Sequence, residues 1–258
     1  MFQIRVIFLL TLFSCTSCAQ APKPNDPVIK EHVIELGASK ILVTEAEYAP
    51  VSPFVFVGLH DNEETAAEAA SVVLKERGGR FISIENNRER FIDFLLNDKT
   101  FRFDPNRIFT DEGRRKTLKV FKNEDTAATE ALGRLSSFIL QLIPDTAVVI
   151  AVHNNTSNEY SITRYRRELK DDAAAIHINP AMDPDDFVFT TDKDCFNYIK
   201  SRNWNVVLQD NRQVTDDGSM SVYFGKKGLP YINIEAEYGH LEQQLQMIRI
   251  VLEYLSLK

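Results

Sequence analysis

Cysteine is scarce in this chain of 258 residues, which holds only three: Cys15, Cys18 and Cys195. Two of them fall within the first twenty residues, so the body carries a single thiol and no disulfide framework is available inside it. The fold must rest on its hydrophobic core. An excess of positive charge is lacking too: 30 Lys and Arg stand against 37 Asp and Glu, a formal charge of -7 with pI about 5.4. That balance leaves no electrostatic footprint for general nucleic-acid binding. No apolar run approaches the roughly 20 residues that a helix needs to cross a bilayer. Internal repeats and low-complexity tracts are absent, so the architecture is not a repeat array. Histidine is limited to five positions, which narrows any imidazole chemistry to a short set.

The amino-terminal segment is read first for targeting. Arg5 precedes a short apolar run, residues 6–13, and then comes Ser14-Cys15-Thr16-Ser17-Cys18-Ala19-Gln20. A basic residue, an apolar run of this length and small residues predict an export segment over residues 1–20. A cysteine after small residues resembles a bacterial lipoprotein processing site, with Leu12 three before Cys15 and Ser14 one before. Cys15 is the expected lipidation site and Cys18 the second choice; an ordinary cleaved signal peptide is the alternative. The expected location is the periplasm or cell envelope, with the membrane reached through the lipid. Residues 21–28, with three prolines, read as a tether. Residues 29–258, about 230 in number, fit a single α/β domain with a sizeable core.

Within that body, strands are predicted over residues 41–47, 54–59, 80–85, 146–152, 204–208 and 231–236. Helices are predicted over 63–77, 124–143, 192–202 and 241–257, and a hairpin over 91–103 turning at Asn97-Asp98. Strands separated by helices imply a three-layer α/β architecture, a mainly parallel, mixed sheet with helices on both faces.

Two stretches carry chemistry. In Phe54-Val55-Phe56-Val57-Gly58-Leu59-His60-Asp61-Asn62-Glu63 an apolar strand ends on His60, and Glu63 opens the following helix. In Val148-Val149-Ile150-Ala151-Val152-His153 a second buried strand ends on histidine. Parallel neighbours present their ends on one edge of the sheet, where ligands of open α/β folds bind. His60, Glu63 and His153 thus form a candidate zinc set of the kind that leaves a position for water. His32, His177 and His240 do not directly follow an apolar strand. Asn106-Arg107 suits a carboxylate, since a guanidinium fork and an adjacent amide offer directed donors. Arg164, Arg166 and Arg167 read as a solvated helix face, with a secondary anchor for acidic substrate as the alternative. Strand alternation in Tyr231-Ile232-Asn233-Ile234-Glu235-Ala236-Glu237 puts Glu235 and Glu237 on one face.

The order His60-x-x-Glu63, Asp104-Pro105-Asn106-Arg107, His153 at a strand end and a late glutamate resembles the zinc carboxypeptidase superfamily. The spacing is most similar to its succinylglutamate desuccinylase and aspartoacylase branch. The resemblance implies zinc bound by His60, Glu63 and His153, substrate carboxylate bound by Asn106 and Arg107, and Glu235 or Glu237 as catalytic base; Glu235 directly follows the strand alternation and is the first choice, while Glu237 lies nearer the turn at Gly239. It also implies an arginine that polarises the scissile carbonyl, for which Arg88, Arg90 and Arg102 all stand open. Asp61 and Pro105 depart from the family's usual residues. The implied function is hydrolysis of an amide bond in a small peptide or N-acyl amino acid with a free carboxylate, using zinc-activated water. The alternative is a catalytically silent carboxylate- or peptide-binding lipoprotein on the same fold.

Overall fold

The computed structural model describes residues 26–157 and 159–258. The export segment, Cys15, Cys18 and most of the tether lie outside the described residues. In chain order the elements are β1 (Val28–Leu36), β2 (Ser39–Tyr48), β3 (Phe54–Gly58), α1 (Glu64–Arg77), β4 (Gly79–Glu85), β5 (Ile92–Leu96) and β6 (Lys99–Phe103). They continue with α2 (Asp111–Val120), α3 (Thr126–Gln141), β7 (Val148–Asn155), β8 (Ala173–His177), β9 (Phe187–Thr190), α4 (Lys193–Ser201), β10 (Val206–Gln209), α5 (Met220–Lys226), β11 (Tyr231–Glu237) and α6 (Leu241–Leu255).

Nine strands form one mixed sheet in the order β1-β2-β4-β3-β7-β11-β9-β10-β8. The centre, β4-β3-β7-β11, is parallel throughout, and antiparallel pairings flank it on both sides. These central strands are buried on both faces, which explains their continuous apolar runs. On one face the core is built with Leu118, Leu132, Leu135, Met220 and Phe224 of α2, α3 and α5. On the other it is built with Ala66, Ala69, Ala70, Val73, Phe196, Ile248 and Val251 of α1, α4 and α6. The expected three-layer architecture is therefore present.

Local chemistry sets the elements around the site. Helix α1 turns Ala66, Ala69, Ala70, Val73 and Leu74 to the core at helical spacing, and the three alanines let it lie close on the sheet. Gly58 ends β3 where a Cβ would stand 2.8 Å from the Phe81 ring, so only glycine passes there without a shift. The hairpin β5-β6 turns at Asn97-Asp98 as expected, with φ of 50° and 60° at the two residues, the geometry favoured by a right-handed strand twist. The expected helix over 124–143 is α3, which begins after the Asp125 cap.

Several elements were not expected. Strand β1 is an edge strand studded with Lys30, Glu31 and Glu35; it opens at Val28, where the tether was to end. Helix α2 is too charged for a clear apolar period, and α5 is seven residues long. Cys195 is buried, and burial pushes its thiol up to about 12. Among the described residues no helix is long and apolar enough to cross a membrane.

Candidate active site

Register brings the two histidines together. Strands β3 and β7 pair in parallel with Val57 opposite Ala151, so both chains leave the sheet at the same edge. On the other side of β7, His153 is the direct partner of Glu235 on β11. Past Gly58 the chain makes a tight turn in which the Glu63 N–H donates to the His60 carbonyl at 3.2 Å. The start of α1 is tied to β7 by Asn154, whose Oδ1 accepts the Ala66 N–H at 2.8 Å. Gln244 of α6 donates to the His153 carbonyl and accepts from Asn154. Both strand ends and the helix start are thus held as one unit.

Both imidazoles turn Nδ1 onto the Glu63 carboxylate, His60 at 2.9 Å from Oε1 and His153 at 2.8 Å from Oε2. All three residues are buried, and their ligand atoms lie within 4.8 Å of one another. The far nitrogen of His60, Nε2, lies 2.8 Å from Asp104 Oδ1. Burial works against charge on this ring, yet Glu63 and Asp104 outweigh it and raise its pKa to about 9. His60 and His153 together hold the Glu63 carboxyl well below the usual carboxylate range against its own burial. A ring with a carboxylate at each nitrogen needs either two protons or one proton and a cation. The donor set, two imidazole nitrogens and a carboxylate with an outer carboxylate fixing one ring, fits zinc.

Asn106 and Arg107 sit on a short 3-10 turn, Pro105–Arg107, after the Asp104 carboxylate accepts the Asn106 N–H at 2.9 Å. The amide nitrogen of Asn106 is 3.5 Å from His153 Nε2, and its buried Oδ1 has no partner. Arg107 Nη1 lies 3.4 Å from Asp217 Oδ2. Glu235 is buried, and Asn233 donates to its Oε1 at 2.9 Å. Burial raises its pKa, and His153 opposes the shift. His60, Glu63, Asn106, Arg107, His153 and Glu235 all line one cleft of about 910 Å³.

Glu237 does not line that cleft. It groups instead with Asp183 and His240, and its N–H donates to Asp186 Oδ1 at 2.9 Å. Among the three open arginines, Arg90 Nη1 lies 2.6 Å from Glu63 Oε1, while Arg88 pairs with Glu64 and Arg102 is held by Asp93 on the hairpin. Asp61 accepts the Asn86 and Arg88 N–H groups, both at 2.7 Å, and so anchors the loop that carries Arg90. Arg164 is not part of a solvated α-helix face. It stands on a 3-10 turn, Ile162–Arg166, lines the cleft, and lies over the Tyr160 ring while paired with Glu168. Residues without a role in the sequence reading are Asp104, Tyr160, Tyr165 and Asp217. Only Asp104 carried a signal, standing two residues before Asn106.

No family model matches the chain, and no curated protein does. Solved structures that it is similar to include an aspartoacylase family protein from Mesorhizobium loti, 15% identical, covering 90% of this chain and 68% of that one with a TM-score of 0.45. Another is succinylglutamate desuccinylase/aspartoacylase from Rhodobacter sphaeroides, 13% identical, covering 90% of this chain and 66% of that one at 0.43. A third is a murein-tripeptide amidase from Escherichia coli O157, 9% identical, covering 88% and 91% at 0.35. The chain spans about two thirds of the length of the first two.

Proposed function

We propose that this protein is a zinc-dependent hydrolase that cleaves an amide bond in a peptide or N-acyl amino acid bearing a free carboxylate. The observation that carries this reading is the meeting of His60, Glu63 and His153 in the lining of one cleft, with Glu235 the register partner of His153. His60, Glu63 and His153 would hold the metal, and Asp104 keeps the His60 ring in its ligating orientation. A zinc ion held there would supply a Lewis acid and would lower the pKa of an attacking water from about 15.7 to near 7.

The chain's own residues do the rest. Asn106 and Arg107 bind the substrate carboxylate and so fix the position of the scissile bond. Glu235 takes a proton from the attacking water and returns it to the leaving nitrogen. Arg90 takes the carbonyl-facing role, because Arg88 and Arg102 are committed to partners outside the histidine cluster. The products are a carboxylate and a free amine. Export with lipid attachment at Cys15 is part of the same proposal and rests on the sequence alone.

The test is metal content together with turnover. Protein offered zinc should bind about one ion per chain, lose it in His60→Ala and His153→Ala, and hydrolyse N-acyl amino acids. A protein that binds zinc but turns over none of a panel of acylated amino acids and short peptides is a silent binder, and one that stays metal-free is not this enzyme.

A further inference from the structure

The cleft has a second wall, beyond the histidines and Glu63, whose chemistry bears on what the leaving amino acid looks like. Four arginines line the cleft, and each already faces a carboxylate: Arg88 faces Glu64, Arg90 faces Glu63, Arg107 faces Asp217 and Arg164 faces Glu168. No lysine lines it among the described residues. Two further lining residues hold a buried oxygen without a donor, as Asn106 and Asn155 also do. Asn233 turns its amide nitrogen onto Glu235, which leaves the buried Oδ1 without a donor. Gln209, 2% exposed, gives its amide nitrogen to Asn211 Oδ1 and the Ser221 carbonyl, which leaves its buried Oε1 without one. These hydrogen bonds fix which end of each amide is oxygen. Asp217 belongs to the same wall: its Oδ1 accepts the Ser219 N–H at 2.9 Å, and the Ser219 hydroxyl meets that of Ser221 at 2.9 Å.

Consider a substrate carboxylate arriving at Arg107. Two carboxylates, the substrate's and Asp217, then share one guanidinium, and that group of three carries one negative charge in excess. A substrate cation on the Asp217 side removes the excess, and an apolar or acidic side chain does not. Buried acceptors without donors cost free energy until a donor reaches them, which favours the same kind of ligand. From Asp217, Asn233 and Gln209 we infer that the amino acid released by this enzyme carries a basic side chain, an ammonium or guanidinium, held against Asp217 while its α-carboxylate sits on Asn106 and Arg107. This rests on the carboxylate-binding role proposed for those two residues.

The experiment is calorimetric binding of L-lysine, L-leucine and L-glutamate to the zinc-loaded protein. All three share the α-ammonium and α-carboxylate, so the comparison isolates the side chain. Lysine should bind about tenfold or more tightly than leucine, and glutamate most weakly, the size expected when one partner of a partly desolvated charge pair is exchanged. In Asp217→Asn the lysine-to-leucine ratio should fall toward one and glutamate should gain. Leucine or glutamate binding as tightly as lysine in the parent protein, no binding of any of the three, or an unchanged ratio in Asp217→Asn overturns the inference. The hydrolase reading fails separately: lysine preference without turnover of any acyl amino acid removes that reading and leaves the wall's chemistry standing. Turnover that favours acyl-glutamate over acyl-lysine does the reverse.

Discussion

His60 Nε2 lies 2.8 Å from Asp104 Oδ1, on the side of the ring away from Glu63. The contact fixes which nitrogen is free for a metal and makes that nitrogen a stronger donor. Outer carboxylates of this kind are typically worth about 10–100-fold in metal affinity. Asp104→Ala should therefore weaken zinc binding by that factor, measured by competition against a chromophoric chelator, with thermal melting as a check because Asp104 also caps the Asn106 turn. Unchanged affinity in a folded variant would show that His60 does not ligate through Nδ1.

The same ring predicts how zinc binding depends on pH. Burial disfavours its charge, but Glu63 and Asp104 hold the His60 pKa at about 9 in the metal-free protein. At neutral pH it carries a proton on each nitrogen, and a metal at Nδ1 must displace one. Zinc binding should release a proton near pH 7, seen by calorimetry in buffers of different ionisation enthalpy, and apparent affinity should rise with pH and level off above about 9. The stability sign follows as well. A pKa raised in the folded state stabilises the metal-free protein fully below the ordinary value of 6.5, and that contribution is lost as pH rises through about 9. Melting temperature of the metal-free protein should fall over this window, and a flat profile would contradict the paired arrangement.

Much of this site was legible from one-dimensional pattern, for identifiable reasons. His60 and His153 end buried strands, and a continuous apolar run bounded by a polar residue marks a strand end without any tertiary knowledge. That the two strands are neighbours follows from register, which the structure supplies. Asp217 was not legible. It lies in a polar loop between β10 and α5, and only the packing of that loop against Arg107 gives it meaning. Asp183 and Asp186 escaped for the same reason: their partners Glu237 and His240 lie more than fifty residues away in the chain. Strand β1 escaped because an exposed edge strand dilutes its apolar residues with charge.

The late glutamates show where pattern stops and geometry begins. Period-two alternation puts Glu235 and Glu237 on one face of β11 and cannot choose between them. In the structure Glu235 is buried beside His153, in the cleft, with Asn233 on its Oε1. Glu237 is the last residue of the strand, and beyond the sheet's edge its surroundings are Asp183, Asp186 and His240. Glu235→Gln should therefore keep stoichiometric zinc and a near-native melting temperature, since the amide is isosteric and Glu235 is not among the converging ligand atoms. It should lose the proton-transfer contribution, typically about 10²–10⁴-fold in turnover. Glu237→Gln removes a carboxylate from a half-exposed cluster outside the cleft and should change turnover by less than about threefold, the scale of an ordinary surface substitution. Zinc content, melting and turnover measured side by side separate the possibilities. Loss of turnover in Glu237→Gln with activity kept in Glu235→Gln would move the base to the other residue. Loss of zinc in Glu235→Gln would instead make Glu235 a ligand and leave the proton-transfer role without a residue.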